Sequence, residues 1–157
     1  MKLAAQVRRA PGDSIASRIE CLAQAGFEAV EVHTDALDQL GEYQAALRSV
    51  GIPALSMCPA GPDFDLVRDE FSQQRRINNI RKALDSCNAL GIKAFISVPL
   101  RGGLPQGISV NDEIESYVRA LEQLAPHAEA AGVPIVGEPL NRYETHLVNT
   151  VSDGIAI

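Results

Sequence analysis

Apolar residues recur along this chain in two alternating rhythms. Spacings of three and four over Ile15, Ile19, Leu22 and Ala23, and again over Ile77, Ile80, Leu84 and Cys87, predict helices with one buried stripe. A similar spacing of Leu37, Leu40, Tyr43, Ala46 and Leu47 predicts a helix over 35–50, with Gly41 inside it. Ile114, Tyr117, Val118, Leu121 and Leu124 predict another after Ser109. Each helix hands over at a glycine to a short β-rich run. The junctions are Gly26 before Phe27-Glu28-Ala29-Val30-Glu31-Val32, Gly51 before Ile52-Pro53-Ala54-Leu55-Ser56-Met57, Gly91 before Ile92-Lys93-Ala94-Phe95-Ile96-Ser97, and Gly132 before Val133-Pro134-Ile135-Val136-Gly137-Glu138. Glycine suits the residue after a helix because the left-handed turn there costs other residues a Cβ clash. Ser14 and Ser109 are placed to cap helices, Asp112 standing in capping-box position, and Pro126 is expected to kink or break the last turns of its helix.

An opening strand over 3–7 completes an order of strand and helix repeated through five strands, which the layering rules turn into an α/β fold with a parallel sheet. Two topologies fit: an open doubly wound sheet, or a barrel with every helix outside. In the second strand Val30 and Val32 alternate with Glu31 and His33, which suits a sheet whose inner face turns polar toward its C-terminal rim. An open sheet asks for near-continuous apolar strands at its centre. The turn after the first strand, Arg9-Ala10-Pro11-Gly12-Asp13, carries no dinucleotide fingerprint. The loop Arg101-Gly102-Gly103-Leu104-Pro105-Gln106-Gly107 lacks the Walker lysine and is read as a mobile rim loop.

The expected fold is therefore α/β, a partial (β/α)₈ barrel of about five parallel strands with outer helices. Thr150 and Asp153 have capping-box spacing, so a fifth helix is expected to begin near the last residue, Ile157. A whole barrel takes about 250 residues. The expectation for 1–157 is one partial barrel truncated at that helix, or a half-barrel whose open edges a second copy covers.

Charge narrows the partners. A net charge of −6 opposes nucleic-acid binding, which needs clustered Lys and Arg, and the absence of Trp leaves little for base stacking. The one dense basic stretch, Arg75, Arg76, Arg81 and Lys82, falls on a predicted helix and is read as a solvated face. Cys21, Cys58 and Cys87 have no CxxC spacing, so neither a disulfide framework nor a zinc finger is expected. No run approaches the roughly 18 apolar residues of a membrane span, and the N-terminal run is too short for a signal peptide, so the expected location is cytoplasmic.

At the end of the fifth strand stands Glu138-Pro139-Leu140-Asn141-Arg142-Tyr143-Glu144, followed by Thr145-His146-Leu147-Val148-Asn149-Thr150. This segment resembles the corresponding one of the xylose-isomerase-like superfamily, above all the ketose 3-epimerases and related sugar-phosphate isomerases and epimerases. Pro126-His127-Ala128-Glu129-Ala130-Ala131-Gly132-Val133 is similar to that family's approach to the strand. The resemblance implies that Glu138 ligates a divalent metal (Mn, Mg or Co) and acts as one of two carboxylate acid/base groups, and that Glu144 holds the hydroxyls of a sugar or sugar phosphate. Such chemistry needs a base beside the carbon next to a carbonyl and a Lewis acid on the oxygens, so that an enediolate forms. Taken without the motif, Glu138 reads as a strand-end carboxylate paired with a basic neighbour such as Arg142.

His33, at the end of the second strand, is a candidate substrate contact, with a hydrogen-bonded structural histidine as its other reading. Cys58 and Ser97 end the third and fourth strands, where they line a pocket or simply pack. Asp63 and Asp65 flank Phe64 in a long loop and are expected to be solvated, and His127 and His146 stand without ligand partners at metal spacing. In the family the remaining metal ligands and the second catalytic Glu come from later strands, beyond Ile157. The resemblance thus implies an isomerase or epimerase part that is inactive alone, the alternative being a non-catalytic half-barrel that homodimerises. The apurinic-site endonuclease branch is disfavoured, since it places histidines where this chain has Met57-Cys58 and Val98-Pro99.

Overall fold

A computed structural model describes residues 3–67, 70–99 and 108–157 of the chain. The 101–107 loop, read above as a mobile rim segment, lies outside the described residues. The order is β1 (Ala4–Gln6), α1 (Ile15–Gln24), β2 (Ala29–His33), α2 (Leu40–Val50), β3 (Ala54–Cys58), α3 (Glu70–Leu90), β4 (Ala94–Ser97), α4 (Val110–Ala131), β5 (Ile135–Gly137) and α5 (Val151–Ile155), with three short 3₁₀ turns between. All strand pairs are parallel, and the sheet runs β1-β2-β3-β4-β5 in chain order. A sequential order with right-handed crossovers keeps every helix on one face of a curling sheet, so the architecture is a partial barrel and not a doubly wound sheet. Consecutive helices pack on one another, α1 on α2, α2 on α3 and α3 on α4.

Local chemistry accounts for the element ends. The Ser14 side chain caps α1 in a reciprocal box with Ser17, and Ser109 accepts the Asp112 N–H at the start of α4. The four junction glycines adopt left-handed φ values of 67 to 88°. Thr150 and Asp153 form a capping box that starts α5.

Four expectations need correcting. The helix expected over 35–50 begins at Leu40, because Thr34–Gln39 winds as 3₁₀. Of the kink or break expected at Pro126, the break does not occur: α4 runs on to Ala131, and the proline lies on its exposed face. Asp65 is buried and not solvated, whereas Asp63 is exposed and pairs with Arg75 at 2.8 Å. Arg76 is buried too, so the basic stretch is not wholly a solvated face; its guanidinium donates to the Pro62 carbonyl and to Ser72 across the start of α3. A long guanidinium with five donors is the cation best able to leave water when backbone oxygens await it.

The core lies between the sheet's outer face and the helices, where Val30, Val32, Met57 and Phe95 meet Ile19, Ile77, Ile80, Leu84 and Leu124. Cys87 of α3 belongs to it, its thiol 3.8 Å from the Met57 sulfur, and burial pushes that thiol from 9.0 up to about 12. With the apolar residues outward, alternation turns Gln6, Glu31, His33, Ser56 and Cys58 toward the inside of the curl.

Candidate functional site

The interior polar residues form two groups, and the first is built by strand register. Gln6 pairs in register with Glu31, Glu31 with Ser56, and His33 with Cys58. The Gln6 amide donates to one Glu31 oxygen at 2.8 Å, and the Ser56 hydroxyl to the other at 2.7 Å. A register shift between β2 and β3 makes this possible, since Val30 faces Ala54 while Glu31 faces Ser56, leaving Leu55 as the extra residue. Glu31, His33 and Cys58 each bring one donor atom to within 4.8 Å of the others. His33 is 1% exposed, and neither ring nitrogen has a hydrogen-bond partner among the described residues. Burial, and secondarily the Arg8 guanidinium, lower its pKa against the opposing pull of Glu31 and Asp35, so the imidazole is neutral at pH 7.

The second group is the segment after β5. Glu138 is held at the strand end by its N–H, which donates to the Ser97 carbonyl at 3.0 Å. Beyond it the chain turns back on itself. Asn141 accepts the Tyr143 N–H on its side-chain oxygen at 2.9 Å and donates its amide to the Glu144 carboxylate. The Asn149 amide donates to the carbonyls of Leu140 and Thr145, at 2.8 and 3.0 Å, and closes the loop. His146 pins it to α4 by a 2.7 Å bond to the buried Glu113.

Between the groups, at the C-terminal rim, lies a cavity of about 330 Å³ lined by Gln6, Arg8, Arg9, Cys58, Glu138 and Glu144 among others. Glu138 and Glu144, singled out in sequence, thus face one space. His33 is not among its lining residues; it sits under the rim beside Cys58, which is. Ser97 does not line the pocket. It faces outward and accepts a hydrogen bond from the Tyr117 hydroxyl of α4 at 3.0 Å, so of its two readings the packed one holds. His127 pairs with Asp85 across α3 and α4, on the outside of the helix layer. Sequence reasoning missed Glu31 as a partner of His33 and Cys58; the alternation of β2 pointed to it, but only strand pairing brings Cys58 alongside.

For a divalent cation of the kind the motif implies, the donor set at the rim fits in part. Glu138 and Glu144 are oxygen donors suited to a hard ion, but two carboxylates are fewer than the four or more ligands such an ion takes.

Comparison with known proteins places this geometry. Residues 19–157 match the family described as xylose isomerase-like TIM barrel. The 3-dehydro-D-guloside 4-epimerase of Escherichia coli (strain K12) is 26% identical over 168 residues, covering 98% of this chain and 62% of that protein. A ligand-free crystal structure of the 3-keto-D-glucoside 4-epimerase of E. coli superimposes with a TM-score of 0.87 at 23% identity, over 98% of this chain and 61% of that one. D-Psicose 3-epimerase, crystallised in the presence of D-fructose, gives 0.84 at 18% identity, over 99% and 58%. The chain therefore spans about three fifths of the length of these sugar epimerases.

Proposed function

The chain belongs to the xylose isomerase-like TIM barrel family, and from that premise we propose that it supplies the first five strands, and the first catalytic carboxylate, of a sugar or sugar-phosphate isomerase or epimerase. The reading rests on one observation: Glu138 and Glu144 line a common cavity at the C-terminal rim, which Gln6, Arg8 and Arg9 also line. Catalytic groups of (β/α)₈ enzymes stand at that rim.

In the proposed mechanism Glu138 takes the proton from the carbon beside the substrate's carbonyl, leaving an enediolate, and reprotonation from the opposite face inverts the centre. Glu144, its carboxylate oriented by the Asn141 amide, accepts hydrogen bonds from substrate hydroxyls. Arg8 and Arg9 stabilise the developing negative charge, or a phosphate where the sugar carries one. A divalent ion (Mn, Mg or Co) held by Glu138 would polarise the carbonyl and adjacent hydroxyl. On this reading the second acid/base carboxylate and the other ligands would come from strands after β5, and the 157 residues alone are expected to be inactive.

The test is deuterium exchange from solvent into the carbon beside the carbonyl of D-fructose or D-psicose, by this chain joined to, or mixed with, a segment supplying the later strands. Glu138→Gln should lower exchange by about 10²–10⁴-fold while the melting temperature holds. Undiminished exchange in that variant removes the reading.

A second reading, a non-catalytic half-barrel that homodimerises through its open edges, draws support from β5. That strand is one of the two edges of the sheet, and its inner residue Val136 is 41% exposed. Sedimentation analysis separates the readings, since this one requires a dimer that persists on dilution.

A further inference from the structure

We propose that Glu31, His33 and Cys58 form a binding site for a soft or borderline divalent cation, zinc above all, separate from the Glu138 carboxylate. Their three donor atoms lie within 4.8 Å of one another. Around a tetrahedral zinc ion, with bonds of about 2.0–2.3 Å, ligand atoms stand about 3.3–3.8 Å apart, so modest side-chain rotations close the set.

The independent sign of a missing ligand is His33. Buried imidazole nitrogens are ordinarily hydrogen-bonded, because desolvating them without a partner is costly. Here both are buried and unpartnered, in a ring beside a carboxylate and a thiol. The ring is neutral at pH 7, the form that offers a lone pair to a metal.

Glu31 is prepared for the same role. Gln6 and Ser56 donate one hydrogen bond to each of its oxygens, which orients the carboxylate and leaves further lone pairs available. The register shift completes the cluster. Had β3 paired with β2 without its extra residue, Leu55 would stand opposite Glu31 and Met57 opposite His33. With Leu55 extra, a hydroxyl and a thiol take those places instead.

Donor chemistry selects the ion. One imidazole, one thiolate and one carboxylate suit zinc or cobalt, whereas the oxygen-only donors Glu138 and Glu144 suit magnesium or manganese. On binding, the Cys58 S–H bond breaks, a sulfur–zinc bond forms and the proton passes to buffer; the charges of Glu31 and the thiolate then balance the dication. Arg8 and Arg9 oppose the ion electrostatically, and Asp35 favours it. Because Cys58 also lines the rim cavity, the fourth coordination position is open to water or to a substrate oxygen.

The experiment titrates the full 157-residue chain with Zn²⁺ against a chromophoric chelator, and with Co²⁺ followed by absorption. Expected are one tight equivalent of zinc and a near-ultraviolet thiolate-to-cobalt charge-transfer band. Cys58→Ser and His33→Gln should abolish the band, and Ser56→Ala should weaken affinity by about 10-fold through loss of an orienting bond. Glu138→Gln should leave band and affinity unchanged, so failure here and failure of the proposed activity are distinguishable. If Cys58→Ser does not fold by circular dichroism, the wild-type chain decides: Zn²⁺ must protect Cys58, but not Cys21, from iodoacetamide. Absence of the band and of protection, a band that survives in Cys58→Ser, or one lost only in Glu138→Gln overturns the proposal.

Discussion

The inner face of the sheet is treated differently at β2 and at β5. At β2 the inward residue Glu31 has a strand on each side, and its two oxygens each accept a hydrogen bond, from Gln6 and from Ser56. At β5 the inward residue Val136 is 41% exposed, and the Asn-Arg-Tyr-Glu segment beyond it is exposed as well. Yet the second region carries the recognisable motif and the first carries none. Sequence conspicuousness and structural completion are thus separate properties: a short local motif is legible wherever it lies, while a completed polar cluster needs neighbours on both sides.

The largest expected effect tests burial on the two faces of the sheet. Phe95→Ala in β4, at the centre of the core, should cost about 3–5 kcal/mol, while Val136→Ala should stay within about 0.5 kcal/mol, both by urea denaturation. Equal losses would mean that another surface covers the inner face of β5 in solution. Next is Glu31→Ala, which strands the Gln6 amide and the Ser56 hydroxyl and should cost about 2 kcal/mol; Glu144→Ala, at an exposed position, should leave the unfolding midpoint in place. Smaller again are the caps. Ser14→Ala should cost about 1 kcal/mol, whereas Thr150→Ala should not move global unfolding, since α5 buries no residue.

The last effect vanishes at neutral pH. Folding raises the Cys87 thiol from 9.0 to about 12, so the unfolded chain gives up this proton first. The stability the thiol contributes is whole below pH 9 and is lost as the pH climbs from there toward 12. Urea unfolding at stepped alkaline pH should show that decline, and Cys87→Val should flatten it. Tyr43, raised to about 12 from 10.0, adds a similar loss that begins a unit higher.

Much of the fold was legible because its determinants are local. The Ser14 cap, the Thr150 box and the glycines at 26, 51, 91 and 132 each act within a turn of chain, and all stand where the pattern places them. The shared cavity of Glu138 and Glu144 follows from their place at one strand end. Asp65 and Arg76 were misplaced for the opposite reason: their burial is set by partners outside their own turn of chain, such as the Pro62 carbonyl for Arg76. Pro126 shows that even a strong local breaking signal can leave a helix unbroken when the proline falls on an exposed face.

What the amino-acid order determined by itself is the alternation of strand and helix, the polar character of β2's inward positions and the carboxylates after β5. Which β3 residue faces which β2 residue was decided only by the assembled sheet. Both registers offer the backbone its hydrogen bonds, and the choice falls to packing: the extra residue Leu55 lets Met57 join Cys87 in the core and sends Ser56 and Cys58 to Glu31 and His33. A preference spread over contacts with several distant elements leaves no mark in any short stretch of the chain.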